Sequence, residues 1–273
     1  MYGSYWQLER RPFDDFADAQ FYFPGESHEG ALLKLRYAVE NHQAGALLAG
    51  TSGIGKTQIV NTLLAGLNDQ FSPRVHLVFP HMPPDQLLAY IAAELSGSAA
   101  DAPVTSIQES VRRIETTLTE NARHGRHAVV VVDEAQLLVD SGALEWMRLL
   151  LNFETQSGTG LTLLLVGQPA LLPALERLPA LEERLGVKCL MRPFTAQETA
   201  AYVQHRLAIA GARDSIFSDD ALEKLHDLTG GSPRRINRLA DLALLIGYAE
   251  ERDQLTASQI DAVNEELVTV APE

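Results

Sequence analysis

The chain has 273 residues, 46% of them hydrophobic, with a formal net charge of −14 and a pI near 5.0. That is enough apolar material for one large or two small soluble domains, and so acidic a surface argues against a general electrostatic grip on nucleic acid. The longest apolar runs, 129–132 and 161–166, are far too short to span a bilayer; no charged-then-apolar leader opens the chain; and the lone Cys189 excludes an internal disulfide and a cysteine metal cluster, so a reducing cytoplasm fits.

Residues 1–23 are aromatic and irregular: Tyr2, Tyr5, Trp6, Phe13, Phe16, Phe21, Tyr22 and Phe23. Arg10-Arg11-Pro12-Phe13 cannot be interior helix. The segment either straps across a core or, with Pro24 and His28, walls an adenine pocket. Ser27 is an expected N-cap for a helix to Asn41, with Leu32, Leu35, Ala38 and Val39 inward.

The short apolar run Ala46–Ala49 then leads into Gly50-Thr51-Ser52-Gly53-Ile54-Gly55-Lys56-Thr57. This is the phosphate-loop pattern G-x-x-x-x-G-K-[ST]. Its glycines let backbone N–H groups face a polyphosphate, and the helix that comes next, Gln58 to Leu67, adds its positive dipole end. Lys56 supplies a charge for the β and γ phosphates, and the Thr57 hydroxyl can ligate Mg²⁺. The chemistry points to a nucleotide polyphosphate and Mg²⁺, with Gly50 through Gln58 as the binding residues.

A strand at 75–79 stops at Pro80 and at Pro83-Pro84. Helices at 84–95 and 106–124 flank a Ser/Ala/Gly-rich connection, 96–103. Ala128 to Val132 is a continuous apolar run, as suits a strand buried on both faces. It delivers Asp133-Glu134-Ala135-Gln136. Two acids at such a strand end form a Walker B arrangement, Asp133 for Mg²⁺ and Glu134 for the attacking water; the other reading is a solvated turn. A helix at 142–155 precedes a strand at 161–166, which ends in Gly167-Gln168-Pro169. Gln168 either touches a γ-phosphate or the lytic water, or simply turns the chain. Proline breaks the helical stretch 171–185, and a fifth strand runs 187–191. Arg184 just before it either reaches a neighbouring subunit's nucleotide, as arginine fingers do, or makes a surface ion pair.

After Arg192-Pro193-Phe194 no further strand is expected. Thr195-Ala196-Gln197-Glu198 is a capping box opening a helix to Ala210. Ser218 caps a second helix, Pro233 starts a third and a fourth comes after Thr256. Arg234 falls in the first turn of the third, where the helix dipole disfavours a cation; reaching a γ-phosphate would offset that cost. Arg235 and Arg238 complete a local basic patch. The histidines show no metal-ligand spacing. The division expected is 1–193, an N-terminal segment with an α/β domain, and 194–273, an all-α lid.

Phosphate loop, Asp-Glu strand, polar strand tip, arginine before the last strand and Gly-x-Pro-Arg in an all-α lid together resemble an AAA+ ATPase. More narrowly, Tyr5-Trp6-x-Leu8, Pro12-Phe13, Ser27-His28-x-x-Ala31-Leu32, Asp133-Glu134-Ala135-Gln136, Gly167-Gln168-Pro169-x-Leu171 and Gly231-Ser232-Pro233-Arg234-Arg235-Ile236-Asn237 resemble the ExeA/GspA family, with TniB/TnsC-type transposition ATPases as relatives. Thr51 and Gln58 depart from its usual Glu and Thr.

The resemblance implies a five-stranded parallel sheet of order 5-1-4-3-2 with a helical lid, and nucleotide between core and lid. It also implies Arg234 as a γ-phosphate sensor, Gln168 as sensor 1 and Arg184 acting in trans within a homo-oligomer. It implies ATP-driven assembly or remodelling of a protein partner in type II secretion or pilus biogenesis; the alternative is an ATP-switched, duplex-DNA-binding regulator of the transposition type. The charge of −14 favours the first. Family members in secretion often continue into a membrane span and a peptidoglycan-binding domain, and neither role is carried over here.

Overall fold

The computed structural model describes residues 2–14, 19–97, 106–155 and 158–269. Phe16 and most of the 96–103 connection lie outside the described residues. The chain divides into two compact units. One comprises 30–52 and 56–191; the other comprises 1–29, 53–55 and 192–273.

The first unit is built on a parallel sheet. Its strands are β1 (Gly45–Ala49), β2 (Arg74–Leu77), β3 (Ala128–Val132), β6 (Leu161–Gly167) and β7 (Leu185–Leu190), in the order β2-β3-β6-β1-β7. The intervening β4 (Glu154–Thr155) and β5 (Gly158–Thr159) form a separate antiparallel pair. Counted within the main sheet alone, the order from the β7 edge is the expected 5-1-4-3-2. Every residue of β1, β3 and β6 is buried, which explains why these strands read as unbroken apolar runs rather than alternating ones.

The helices of this unit are the greater part of α2 (Glu26–Glu40), then α3 (Lys56–Gly66), α4 (Pro84–Ser96), α5 (Ile107–Arg123), α6 (Ala143–Leu150), α7 (Leu171–Glu176) and α8 (Pro179–Glu182). Leu87, Ile91, Ile114, Leu118, Met147 and Leu150 pack with the inward side chains of β2, β3 and β6 in one core.

Local chemistry sets several boundaries. Pro84 opens α4 at its first position, and Gly97 closes it at φ +66°. Ser106 caps α5 by accepting from the Glu109 N–H. Three expectations are corrected. Ser27 lies inside the first turn of α2 rather than at its cap, and its hydroxyl accepts from the Arg192 N–H at 3.1 Å. The 142–155 helix ends at Leu150, because the chain turns back into the β4–β5 pair. β2 ends at Leu77, leaving Val78 and Phe79 exposed.

The second unit is helical: α9 (Ala196–Ile209), α10 (Asp219–Thr229), α11 (Pro233–Ala249), α12 (Ala257–Thr269) and the short N-terminal α1 (Tyr2–Tyr5). Thr195 and Glu198 form the expected capping box. The aromatic N-terminal segment belongs to this core, not to that of the sheet. Trp6 donates its indole N–H to the Leu244 carbonyl at 2.9 Å, Tyr2 donates to Asp241, and Phe13 packs with Phe217. Buried Arg206 donates to the carbonyls of Pro12 and Asp14, tying the segment down. A single indole donor with its partner in place lets a large ring be buried without an orphaned N–H.

Where β3 begins, His127 is buried, stacked on His42 at 4.2 Å between ring centroids, with its Nε2 2.9 Å from Thr162 Oγ1. Burial, reinforced by the adjacent His42, pushes its pKa down to about 4. The folded state therefore holds this ring neutral while the unfolded chain protonates it below about 6.5. Its contribution does not vary with pH above that value, and it destabilises the fold progressively as pH falls toward 4, by up to about 3 kcal/mol. Urea denaturation at pH 7.5 and 4.5 should show a smaller acid loss in His127→Gln than in the parent chain.

Candidate nucleotide site

The phosphate loop runs from the end of β1 into α3, as its sequence requires. Its two ends belong to the sheet unit. The Gly50 N–H donates to the Gly167 carbonyl at 3.1 Å, joining the loop to the tip of β6. Lys56, the first residue of α3, is buried, and its Nζ donates to the carbonyls of Gly50 and Thr51 at 2.9 and 3.1 Å. The ammonium is thus held over the loop by neutral carbonyls, and an ionised polyphosphate oxygen is the stronger acceptor for it. Thr51, Ser52 and Thr57 are exposed, and Gln58 is half-buried.

The tip, residues 53–55, clusters with the helical unit. Gly53 and Gly55 have φ of +76° and +99°, where an L side chain is strained. A Cβ on Gly53 would also come within 2.8 Å of the Arg234 Cβ. Arg234, the second residue of α11, donates its backbone N–H to the Gly53 carbonyl at 3.2 Å, and its side chain is exposed. Ile54 is buried, and its carbonyl accepts from His28 Nε2 at 2.9 Å. Because a carbonyl can only accept, Nε2 carries the hydrogen and Nδ1 is left as a buried acceptor with no partner among the described residues. His28 also lies against the Phe194 ring at 4.9 Å. Burial holds its pKa below the ordinary histidine value, opposed by the Ile54 bond. The sequence offers His28 as part of an adenine-pocket wall in one of two readings of its segment; its grip on the loop tip requires the fold.

Asp133 comes directly after β3 and is buried. Its Oδ2 accepts from Thr57 Oγ1 at 2.7 Å, and its Oδ1 accepts from the Glu134 N–H at 2.9 Å. His76 Nε2 stands 3.8 Å from Oδ2, at ion-pair rather than hydrogen-bond distance. Burial alone would raise the Asp133 pKa; His76, Thr57 and the Glu134 N–H outweigh it and hold the carboxyl below its usual range. An ionised carboxylate and a hydroxyl with adjacent oxygens are a donor set that suits Mg²⁺, a hard cation that prefers oxygen ligands.

Glu134 is half-buried with φ +50°, a left-handed conformation uncommon outside glycine. Its Oε2 accepts from Gln136 Nε2 at 2.5 Å, and Gln136 Oε1 accepts from the Gln168 N–H at 2.9 Å. Gln168 therefore meets this cluster through its backbone. Arg184 immediately precedes β7 and donates Nη1 to the Leu151 carbonyl at 2.7 Å. The described residues give Arg184 no ion pair; the pair there is Lys188 with Glu182.

In the sheet unit, then, the tips of β1, β3 and β6 carry Lys56, Thr57, Asp133, Glu134 and Gln168, while the loop tip and Arg234 meet in the helical unit. His76 and Gln136 are the polar neighbours that sequence reasoning passed over. Gln136 stood inside a quoted motif without a role, and His76 had no signal beyond its place on β2.

Residues 39–175 match the AAA domain family. General secretion pathway protein A of Aeromonas hydrophila is 32% identical over 276 aligned residues, covering all of this chain and 50% of that protein. The chain thus spans half the length of that curated relative. Among solved structures, the Aeropyrum pernix ORC2 protein in its ADPNP-ADP complexes aligns with TM-score 0.69 at 19% identity, over 94% of this chain and 72% of that one. Cdc6p from Pyrobaculum aerophilum aligns with TM-score 0.70 at 16% identity, over 96% and 74%. Likeness at such low identity shows a shared fold. The sequence matches, set on this phosphate loop and acid pair, give the conclusion that the chain belongs to the AAA domain family, as an ATPase similar in sequence to General secretion pathway protein A.

Proposed function

We propose that the chain couples Mg-ATP hydrolysis to assembly or remodelling of a protein complex of the type II secretion or pilus kind. The observation that carries the hydrolytic part is the pair at the end of β3: a buried, ionised Asp133 bonded to Thr57, and beside it Glu134, whose carboxylate is held by an amide. The kinship with General secretion pathway protein A supports the protein partner, as does the net charge of −14.

In this reading the loop N–H groups of Thr51 through Gly55 and the Lys56 ammonium bind the phosphates, while Gly50 anchors the loop to the Gly167 carbonyl. Thr57 and Asp133 would hold Mg²⁺, which supplies charge neutralisation at the β and γ oxygens. Glu134 orients the attacking water and takes its proton as the water oxygen bonds to the γ-phosphorus and the bond from that phosphorus to the β–γ bridging oxygen breaks, ADP leaving with the electron pair. Gln168 and Arg234 contact the γ-phosphate from β6 and α11. Arg184 leaves the Leu151 carbonyl and completes the site of a second copy, so turnover requires a homo-oligomer. Among the described residues no helix is long and apolar enough to cross a membrane.

Rate per subunit should rise with protein concentration and ignore duplex DNA. A rate that rises only with DNA, with steeply salt-dependent binding, would replace this reading with the transposition-type regulator. Glu134→Gln should retain ATP affinity by calorimetry and lose at least about 100-fold in turnover; ordinary turnover would mean another base. Arg184→Ala and Lys56→Ala chains, each slow alone, should recover part of the rate when mixed, because one supplies an intact loop and the other an intact arginine. No recovery at any mixing ratio removes the trans role.

A further inference from the structure

Gln136 has a place in the cluster that the motif alone does not explain. It sits in the short 3-10 turn Ala135–Leu138 directly after the acid pair. Its amide spans two elements. On one side is the Glu134 carboxylate at 2.5 Å; on the other is the backbone N–H of Gln168, just past the end of β6, at 2.9 Å. The amide orientation is fixed from both ends. A backbone N–H can only donate, so the atom facing Gln168 is the oxygen; an ionised carboxylate can only accept, so the NH₂ faces Glu134.

The neighbouring chain is shaped around this amide. A Cβ on Gly167 would come within 2.8 Å of Gln136 Oε1 and 3.3 Å of the Gln136 nitrogen, so a side chain at 167 would displace it. The carbonyl of that same Gly167 accepts from the Gly50 N–H at the start of the phosphate loop. A continuous path of hydrogen bonds and backbone thus runs from the loop, through the tip of β6 and the Gln136 amide, to Glu134. The left-handed backbone at Glu134 makes such a tether useful. A carboxylate on a half-buried turn has rotamers to choose among, and an amide on Oε2 removes most of them while leaving Oε1 available.

We propose that Gln136 is a positioning residue for hydrolysis: it ties Glu134 to the β6 tip, so the water-activating carboxylate is set in place by the strand end that meets the phosphate loop. The proposal rests on the reading of Glu134 as the group that activates water.

The informative variant is Gln136→Glu. It keeps an acceptor for the Gln168 N–H but sets a carboxylate against Glu134, breaking only one of the two bonds. Gln136→Leu removes both at similar volume. Each should lower kcat by about 10- to 100-fold. The Mg-ADP affinity by calorimetry should stay within about twofold and the melting temperature within a few degrees, since neither bond touches the phosphates and both are partly exposed. In a Glu134→Gln chain, adding Gln136→Leu should cost nothing further, because the group being positioned is already disabled. Unchanged kcat in Gln136→Glu, a loss of affinity equal to the loss of rate, or a second full loss on top of Glu134→Gln would each overturn the proposal. If Glu134→Gln itself turns over normally, the reading beneath it fails instead, and that result is distinct from a silent Gln136 in a chain whose Glu134 is essential.

Discussion

The chemistry of this molecule depends on the parallel register of three buried strands. Ala49 pairs with Gly167 and Val132 with Leu165, so β1, β3 and β6 bring their C-terminal ends toward one edge of the sheet. Parallel strands end with backbone groups the ladder no longer satisfies, and those groups must find partners in the loops just beyond the strand ends. Here the partners are the functional residues themselves. The Gly50 N–H takes the Gly167 carbonyl, the Gln168 N–H takes the Gln136 oxygen, and the Asp133 N–H takes the Leu77 carbonyl. The order of the sheet thus decides which chemistry-bearing residues become neighbours, even though the loop and the β6 tip are more than a hundred positions apart in the chain.

Hydrogen-bond partners, working against burial, then set the charge state of Asp133. Asp133 is almost wholly removed from solvent and yet is held below the usual carboxylate range, because a hydroxyl, a backbone N–H and the nearby His76 favour its charged form. Lys56 is equally buried and rests on two carbonyls. A buried cation and a buried anion, each held by its own set of hydrogen bonds, are costly as pure structure. They make sense as a preorganised polar surface for an anionic substrate and a hard cation, in which little reorganisation remains when charge develops.

Much of this was legible because its signals are local. Loop glycines at positive φ, a lysine and threonine at a helix start, and two acids after an unbroken apolar run each stem from short stretches of chain, and the sheet order came from the family resemblance. Thr195 and Glu198 fixed a helix start for the same local reason. What was not legible depends on contacts distant in sequence. The aromatic N-terminus reads as a strap, but only the partners of Trp6, Tyr2 and Arg206 show which core it serves. Ser27 has the chemistry of a cap, yet its hydroxyl is engaged by the Arg192 N–H. Position alone leaves Arg184 between a finger role and a surface ion pair, whereas its bond to Leu151 depends on where the chain turns after α6.

Gln136 belongs to the same class of hidden information. Asp-Glu-Ala-Gln reads as two acids and two filler residues, since nothing in four consecutive letters says that a strand end thirty-two positions later has its N–H aimed at the last of them. That the next glycine back, Gly167, leaves room for the amide while its carbonyl holds the phosphate loop makes the two motifs one device. The loop and the acid pair are recognised separately in sequence because each is contiguous. Physically they are joined through β6: backbone carries the connection from the loop to Gln168, and the Gln136 amide completes it to the carboxylate.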